Sequence, residues 1–173
     1  MISRARMARG LVGGALAGAA GTVAMDLVLY RRYRRDGGHD PWWRWESAAG
    51  VLSWSEASAP GQIGRKLERL VTRRTPPDDR ARTTTNAVHW ATGIGWGIQY
   101  GLVAAVTPGH PWLRALALGP VAWLTGYAVL PAVGVYQPIW TYDARTLAND
   151  LSAHLVFGGV TAVALRALSG AAR

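Results

Sequence analysis

The chain has 173 residues, half of them hydrophobic, with a net charge of +9 and no cysteine. That length gives room for one domain rather than a membrane unit plus a separate catalytic one, and the lack of Cys excludes disulfides, thiolate metal sites, cysteine nucleophiles and iron–sulfur clusters. The apolar residues are unusual in kind: 21 Gly and nine Trp stand beside a single Phe, a mixture that suits close-packed helices in lipid better than a water-soluble core of large aliphatics.

Residues 11–30 are apolar except for Thr22 and Asp26, long enough as a helix to cross a hydrocarbon core of roughly 30 Å. The stretch follows the basic Arg4, Arg6 and Arg9 and could be read as a cleaved secretory signal. It runs past signal length, however, and ends at Arg31-Arg32 rather than at a small-residue site, so an uncleaved span is expected.

Residues 31–86 form the one long loop. It opens with Arg31, Arg32, Arg34 and Arg35, turns at Asp36-Gly37-Gly38, and continues into the Trp-rich Pro41–Glu46 stretch with Trp42, Trp43 and Trp45. Within it, residues 61–74 place Ile63, Leu67, Leu70 and Val71 on one helical face, with Arg65, Lys66, Glu68, Arg69 and Arg73 on the others. An amphipathic helix with a basic rim, preceded by tryptophans, is expected to lie in the headgroup layer of the membrane; docking of a protein partner is the alternative.

A second span is expected at residues 87–107, and the short Pro108-Gly109-His110-Pro111 link turns it back into a third at 112–135. In that third span Pro120 and Pro131, with Gly119, Gly126 and Gly134, mark a kinked helix whose freed carbonyls need partners. Tyr136, Trp140 and Tyr142 then suit an interfacial aromatic belt. A fourth span at 147–168 carries Asp150, His154 and Arg166. The expected fold is therefore all-α: one membrane domain of four helices with an interfacial helix in the first loop.

Of the 19 Lys and Arg, 12 lie between Arg31 and Arg82 and Arg145 joins them on that side; Arg4, Arg6, Arg9, Arg114, Arg166 and Arg173 lie on the other. Such a split puts the long loop in the cytoplasm and both termini outside. It also makes anionic lipid headgroups the expected partner of the basic residues, in place of nucleic acid. A second copy of the chain or another membrane protein are further candidate partners.

Three of the spans share a four-residue repeat. Gly10, Gly14, Gly18, Thr22 and Asp26 recur in the first, His89, Gly93, Gly97 and Gly101 in the second, and His154, Gly158, Ala162 and Arg166 in the fourth. Residues four apart share a helix face, and small-residue ridges are where membrane helices approach closely. Alternating direction brings Asp26, His89 and His154 to one depth on the loop side, with Asp150 one turn outside His154. The polar residues Asp26, His89, Asp150 and His154 are thus expected to gather between the helices.

The preferred reading of that cluster is structural, with His–Asp hydrogen bonds joining helices. A small transporter or proton-linked channel is the alternative, since His titrates near neutrality and Asp can relay protons. A metal held by His89, His154 and Asp26 is the third. No cofactor is expected, and bis-His haem would need volume that glycine ridges do not leave. There is no Ser in a nucleophile-elbow setting, no HExxH and no Gly-rich phosphate loop, so no catalytic residue is assigned and no enzyme activity is expected.

The segments Asn86-Ala87-Val88-His89-Trp90-Ala91-Thr92-Gly93, Leu130-Pro131-Ala132-Val133-Gly134 and His154-Leu155-Val156-Phe157-Gly158 resemble the YagU-type inner-membrane proteins. The resemblance reaches from Gly10 to Leu168 and implies about four spans, a His early in the second and fourth, a Pro–Gly break ending the third, and a place in the bacterial inner membrane. It implies no activity and lends no catalytic residue. The loop with Trp42, Trp43 and Trp45 departs from the family pattern.

Overall fold

A computed structural model describes residues 4–107 and 111–171. The described residues are all-helical, without strands. In chain order the helices are α1 (Arg4–Arg35), α2 (Trp42–Glu46), α3 (Ala59–Thr72), α4 (Ala81–Val106), α5 (Pro111–Ala132) and α6 (Ala144–Ala171), with single 3₁₀ turns at Asp78–Arg80 and Ile139–Thr141.

Local sequence explains where these helices stop and start. Arg32, Arg34 and Arg35 occupy the last turn of α1, where cations meet the negative end of the helix dipole. Gly37 then takes φ +93°, while the Gly38 amide bonds back to the Tyr33 carbonyl at 2.8 Å, a glycine-assisted stop. Helix α3 has Pro60 in its first turn and ends on Arg73 in the left-handed region. Asp143 caps α6: its carboxylate accepts from the Thr146 amide at 2.9 Å and from the Thr146 hydroxyl at 2.7 Å. Those two bonds hold the Asp143 carboxyl below its ordinary pKa.

Among the described residues three helices are long and apolar enough to cross a membrane: Arg4–Arg35, Leu113–Ala132 and Ala144–Gly170. The last of them includes the fourth expected span. The second expected span, at 87–107, is not among the three. Within α4, His89, Thr92, Gln99 and Tyr100 sit among glycines and dilute the apolar residues, so the helix is long but only moderately hydrophobic.

Helix α1 is the centre of the packing. It lies against α4 on one side and α6 on another, α5 packs on α6, and α3 rests on α4. The α1–α4 contact is the expected glycine ridge. A Cβ at Gly10, Gly14 or Gly18 would stand 2.7, 2.5 or 2.6 Å from the carbonyl oxygens of Gly101, Gly97 and Gly93 respectively. The descending partner numbers show that the two helices run antiparallel. Gly158 of α6 likewise abuts Gly119 of α5, whose own Cβ would meet the His154 backbone. By contrast α4 and α5 hardly touch: the hairpin expected of them has little shared surface, and its Pro108–His110 link lies outside the described residues. Helix α5 has no small-residue ridge turned to α4, and its close approach is to α6.

The interior of the long helices is built from small residues, with Ala17, Thr22, Ala153 and Thr161 fully covered. Leu11, Leu16, Leu113, Leu116 and Val163 face outward. That reverses the arrangement of a water-soluble protein and suits lipid as the surrounding solvent. Helix α5 continues through both Pro120 and Pro131. The carbonyls at its end find their partners locally: Pro131 O accepts from the Gly134 amide at 3.0 Å and Leu130 O from the Val135 amide at 2.9 Å.

Candidate functional site

The long loop folds into a cap rather than a strap. Trp54, 2% exposed, forms its small core with Ala57 and Ala81. The Trp54 indole donates to the Pro76 and Pro77 carbonyls at 2.9 and 3.1 Å, its amide donates to Asp78 Oδ1 at 3.1 Å, and the Gln62 side-chain amide donates to its carbonyl. The Arg65 guanidinium lies 5.7 Å from the ring centre. Gly61 and Gly64 let α3 sit directly on Thr84, Thr85 and Val88 of α4.

Helix α2 is fastened from two sides. Trp42 and Trp45 pack on Tyr30 at centroid distances of 5.3 and 5.4 Å. From α4, the Arg82 guanidinium donates to Ser47 Oγ at 3.0 Å, the Asn86 side chain donates to the Glu46 carbonyl at 2.7 Å, and the Trp90 indole donates to Glu46 Oε1 at 3.0 Å. Of the three tryptophans expected in the headgroup layer, Trp43 is exposed, while Trp42 and Trp45 belong to this aromatic clasp.

Beneath the cap lies a cavity of about 660 Å³ whose lining includes Asp26, His89, Asp150 and His154 together with Glu46. Asp26 ends the glycine ridge of α1 and is only 2% exposed. The His89 Nε2–H donates to both of its carboxylate oxygens, at 3.0 and 2.9 Å, so the pair joins α1 to α4 directly. His154 forms a different kind of pair. Its Nδ1 donates to the Asp150 carbonyl one turn earlier at 2.9 Å and lies 3.4 Å from Asp150 Oδ1. A carbonyl can only accept, so Nδ1 carries a proton and donates it.

All four residues line one cavity, but they form two separate pairs. Among the described residues no three His, Asp or Glu side chains come together at metal-ligand spacing, so the triad of Asp26, His89 and His154 does not form.

Glu46 is the member that sequence reasoning missed. It arrives from the loop and lies within electrostatic reach of both Asp26 and His89. Burial, and after it the Asp26 charge, push its carboxyl above the ordinary range, against the Trp90 hydrogen bond. Tyr136 is another: burial and then Asp150 push its phenol up to about 12, so its hydroxyl stays a proton donor. The walls are aromatic, with Trp45, Trp96, Trp123, Tyr127 and Phe157. Arg32 ties the rim together, donating to the Asn149 carbonyl at 2.7 Å and to Ser152 Oγ at 2.8 Å, which links the end of α1 to the start of α6.

Chemically, the cavity offers three carboxyl groups, two imidazoles and several ring faces, without a nucleophile poised beside a base. It can hold and exchange a proton or a cation. No protein-family model, curated protein or solved structure matches the chain.

Proposed function

We propose that this chain is a multi-pass inner-membrane protein in which α1, α4, α5 and α6 all cross the bilayer as a four-helix bundle, and that the capped cavity binds a small organic cation in exchange for a proton. The observation that carries the reading is the convergence of both His–Asp pairs and Glu46 on one aromatic-walled cavity of about 660 Å³. The space is a half-open cleft between α4 and α5, which hardly touch, and both pairs and Glu46 line it. Its volume falls in the range of small-molecule sites. The Asp26–His89 pair keeps the structural role expected of it as the lock between α1 and α4.

The chemistry favours a cation. Carboxylates at Asp26, Glu46 and Asp150 supply negative charge, and the indole and phenol faces supply the π-surfaces on which organic cations rest. Each of the two aspartates shares its charge with an imidazole. A cation arriving at Asp150 would replace the positive charge of a protonated His154, which then gives up its proton. Charge inside the site is conserved in that exchange, as a membrane interior requires.

Inclusion of α4 among the spans is supported by its antiparallel ladder with α1, which carries it alongside a membrane-length helix rung by rung. An interfacial place for α3 is supported by its outward Leu67, Leu70 and Val71 beside Arg65, Lys66 and Arg69. The likeness to YagU-type proteins, with its bacterial inner-membrane setting, is part of the same proposal and rests on the segments around His89, Pro131 and His154.

Titration of the detergent-purified protein with tetraethylammonium, followed by tryptophan fluorescence and by an indicator dye in weak buffer, tests the reading. A saturable change accompanied by proton release is expected, weakened at least about tenfold in Asp150→Asn, since losing one partner of a desolvated charge pair costs a few kcal/mol. A flat titration of the wild type overturns it, as does a response that is the same in Asp150→Asn and Glu46→Gln.

A further inference from the structure

We propose a second binding site at the opposite end of the long helices, built for the headgroup and first acyl segment of an anionic membrane lipid. A cavity of about 790 Å³ opens there between the start of α1, the end of α4, the start of α5 and the end of α6. Its lining combines four arginines, Arg6, Arg9, Arg114 and Arg166, with apolar side chains such as Leu16 and Leu165. No acidic side chain is among its lining residues.

The whole chain is polarised in the same sense. All ten Asp and Glu fall within residues 26–79 and 143–150, on the cap side, so every carboxyl side chain is far along the helices from these guanidiniums. Guanidinium groups pair with phosphate in a two-pronged geometry that other cations lack. Arg114 is already oriented, its Nη1 donating to the Thr107 carbonyl at 2.8 Å, and Arg6 and Arg9 lie on exposed turns of α1.

The apolar wall selects lipid over a free anion. From Leu16 the cavity continues onto the outward face of α1, where Leu11, Val12 and Leu16 are about half exposed. An amphiphile whose phosphate meets the arginines can lay its chain along that face, whereas inorganic phosphate would gain nothing from it. The two cavities thus have opposite preferences, acidic beneath the cap and basic at the far end, and the second site is independent of whatever occupies the first.

Native mass spectrometry of the protein released from mixed micelles of phosphatidylglycerol and phosphatidylcholine measures the selection. Phosphatidylglycerol is expected to be retained about tenfold over phosphatidylcholine, a margin of one charge-assisted contact, and to resist an excess of inorganic phosphate. Arg6→Gln with Arg9→Gln should bring the ratio close to one. Ala104→Phe, which narrows the cavity without touching an arginine, should lower retention of phosphatidylglycerol while the thermal midpoint confirms folding. Equal retention of both lipids by the wild type overturns the proposal. So does a ratio unchanged in both variants, or displacement by phosphate alone, which would mark a simple anion site.

Discussion

Asp26 has both carboxylate oxygens on one imidazole nitrogen and is almost wholly removed from solvent. Removing one partner of such a pair leaves a buried charge without compensation, at a cost of about 3–5 kcal/mol. His89→Ala should therefore lower the thermal midpoint sharply, and Asp26→Ala in the same background should restore part of the loss. Size-exclusion melting in detergent measures both; a double variant less stable than His89→Ala would show that the pair is not the source. Glu46 behaves differently, because its carboxyl is held above the ordinary value of 4.5 by burial and by Asp26. The folded protein binds that proton more tightly than the unfolded chain. The stability it lends is complete below the ordinary carboxyl range and is lost as pH rises through the raised value. Glu46→Gln, which mimics the protonated form, should flatten this part of the stability–pH curve, leaving the alkaline side higher than in the wild type.

At the scale of helices, the α1–α4 contact depends on the absence of side chains. Gly14→Val would drive a Cβ against the Gly97 carbonyl, whereas Gly95, on the same helix α4, meets nothing within 4 Å. Gly14→Val should destabilise the protein by about 1–3 kcal/mol, the usual cost of overpacking, and Gly95→Val should leave the midpoint nearly unchanged; equal effects would remove the ridge as the cause. This contact could be read from the sequence, because a four-residue repeat of small residues is a local signal that survives any tertiary arrangement. The Asp26–His89 depth could be read for the same reason, and so could the His154–Asp150 pair, one turn apart on one face. Glu46 and Trp54 could not. Their places depend on how residues 36–58, which carry no sustained periodicity, fold back on the helices, a matter of tertiary hydrogen bonds such as those from Asn86 and Trp90. The moderate hydropathy of α4 is the converse case. A helix rich in glycine for packing loses the apolar excess by which spans are recognised.

At the scale of the molecule, charge is polarised along the helix axes. The cap side holds 13 of the 19 basic residues and all ten acidic ones; the far end holds only basic residues. Counting Lys and Arg alone, the expected orientation puts the cap in the cytoplasm and both termini outside. An alkaline-phosphatase fusion to the C-terminus is expected to be active and a fluorescent-protein fusion dark; the reverse pattern would invert the orientation and leave the packing as it is. With that orientation the cation cavity opens toward the cytoplasmic side, and the arginine cavity lies in the outer leaflet.

A ladder that repeats every four residues has a further property. Slide α1 along α4 by one rung, about 6 Å, and glycine again meets glycine over most of the contact, so the ridge fixes distance and direction but is nearly degenerate in offset. Asp26 and His89 break that degeneracy, since only one offset lets the carboxylate find the imidazole, much as one buried polar residue selects among equivalent alignments of a coiled coil. The glycines act as a ruler, and the polar pair marks its zero.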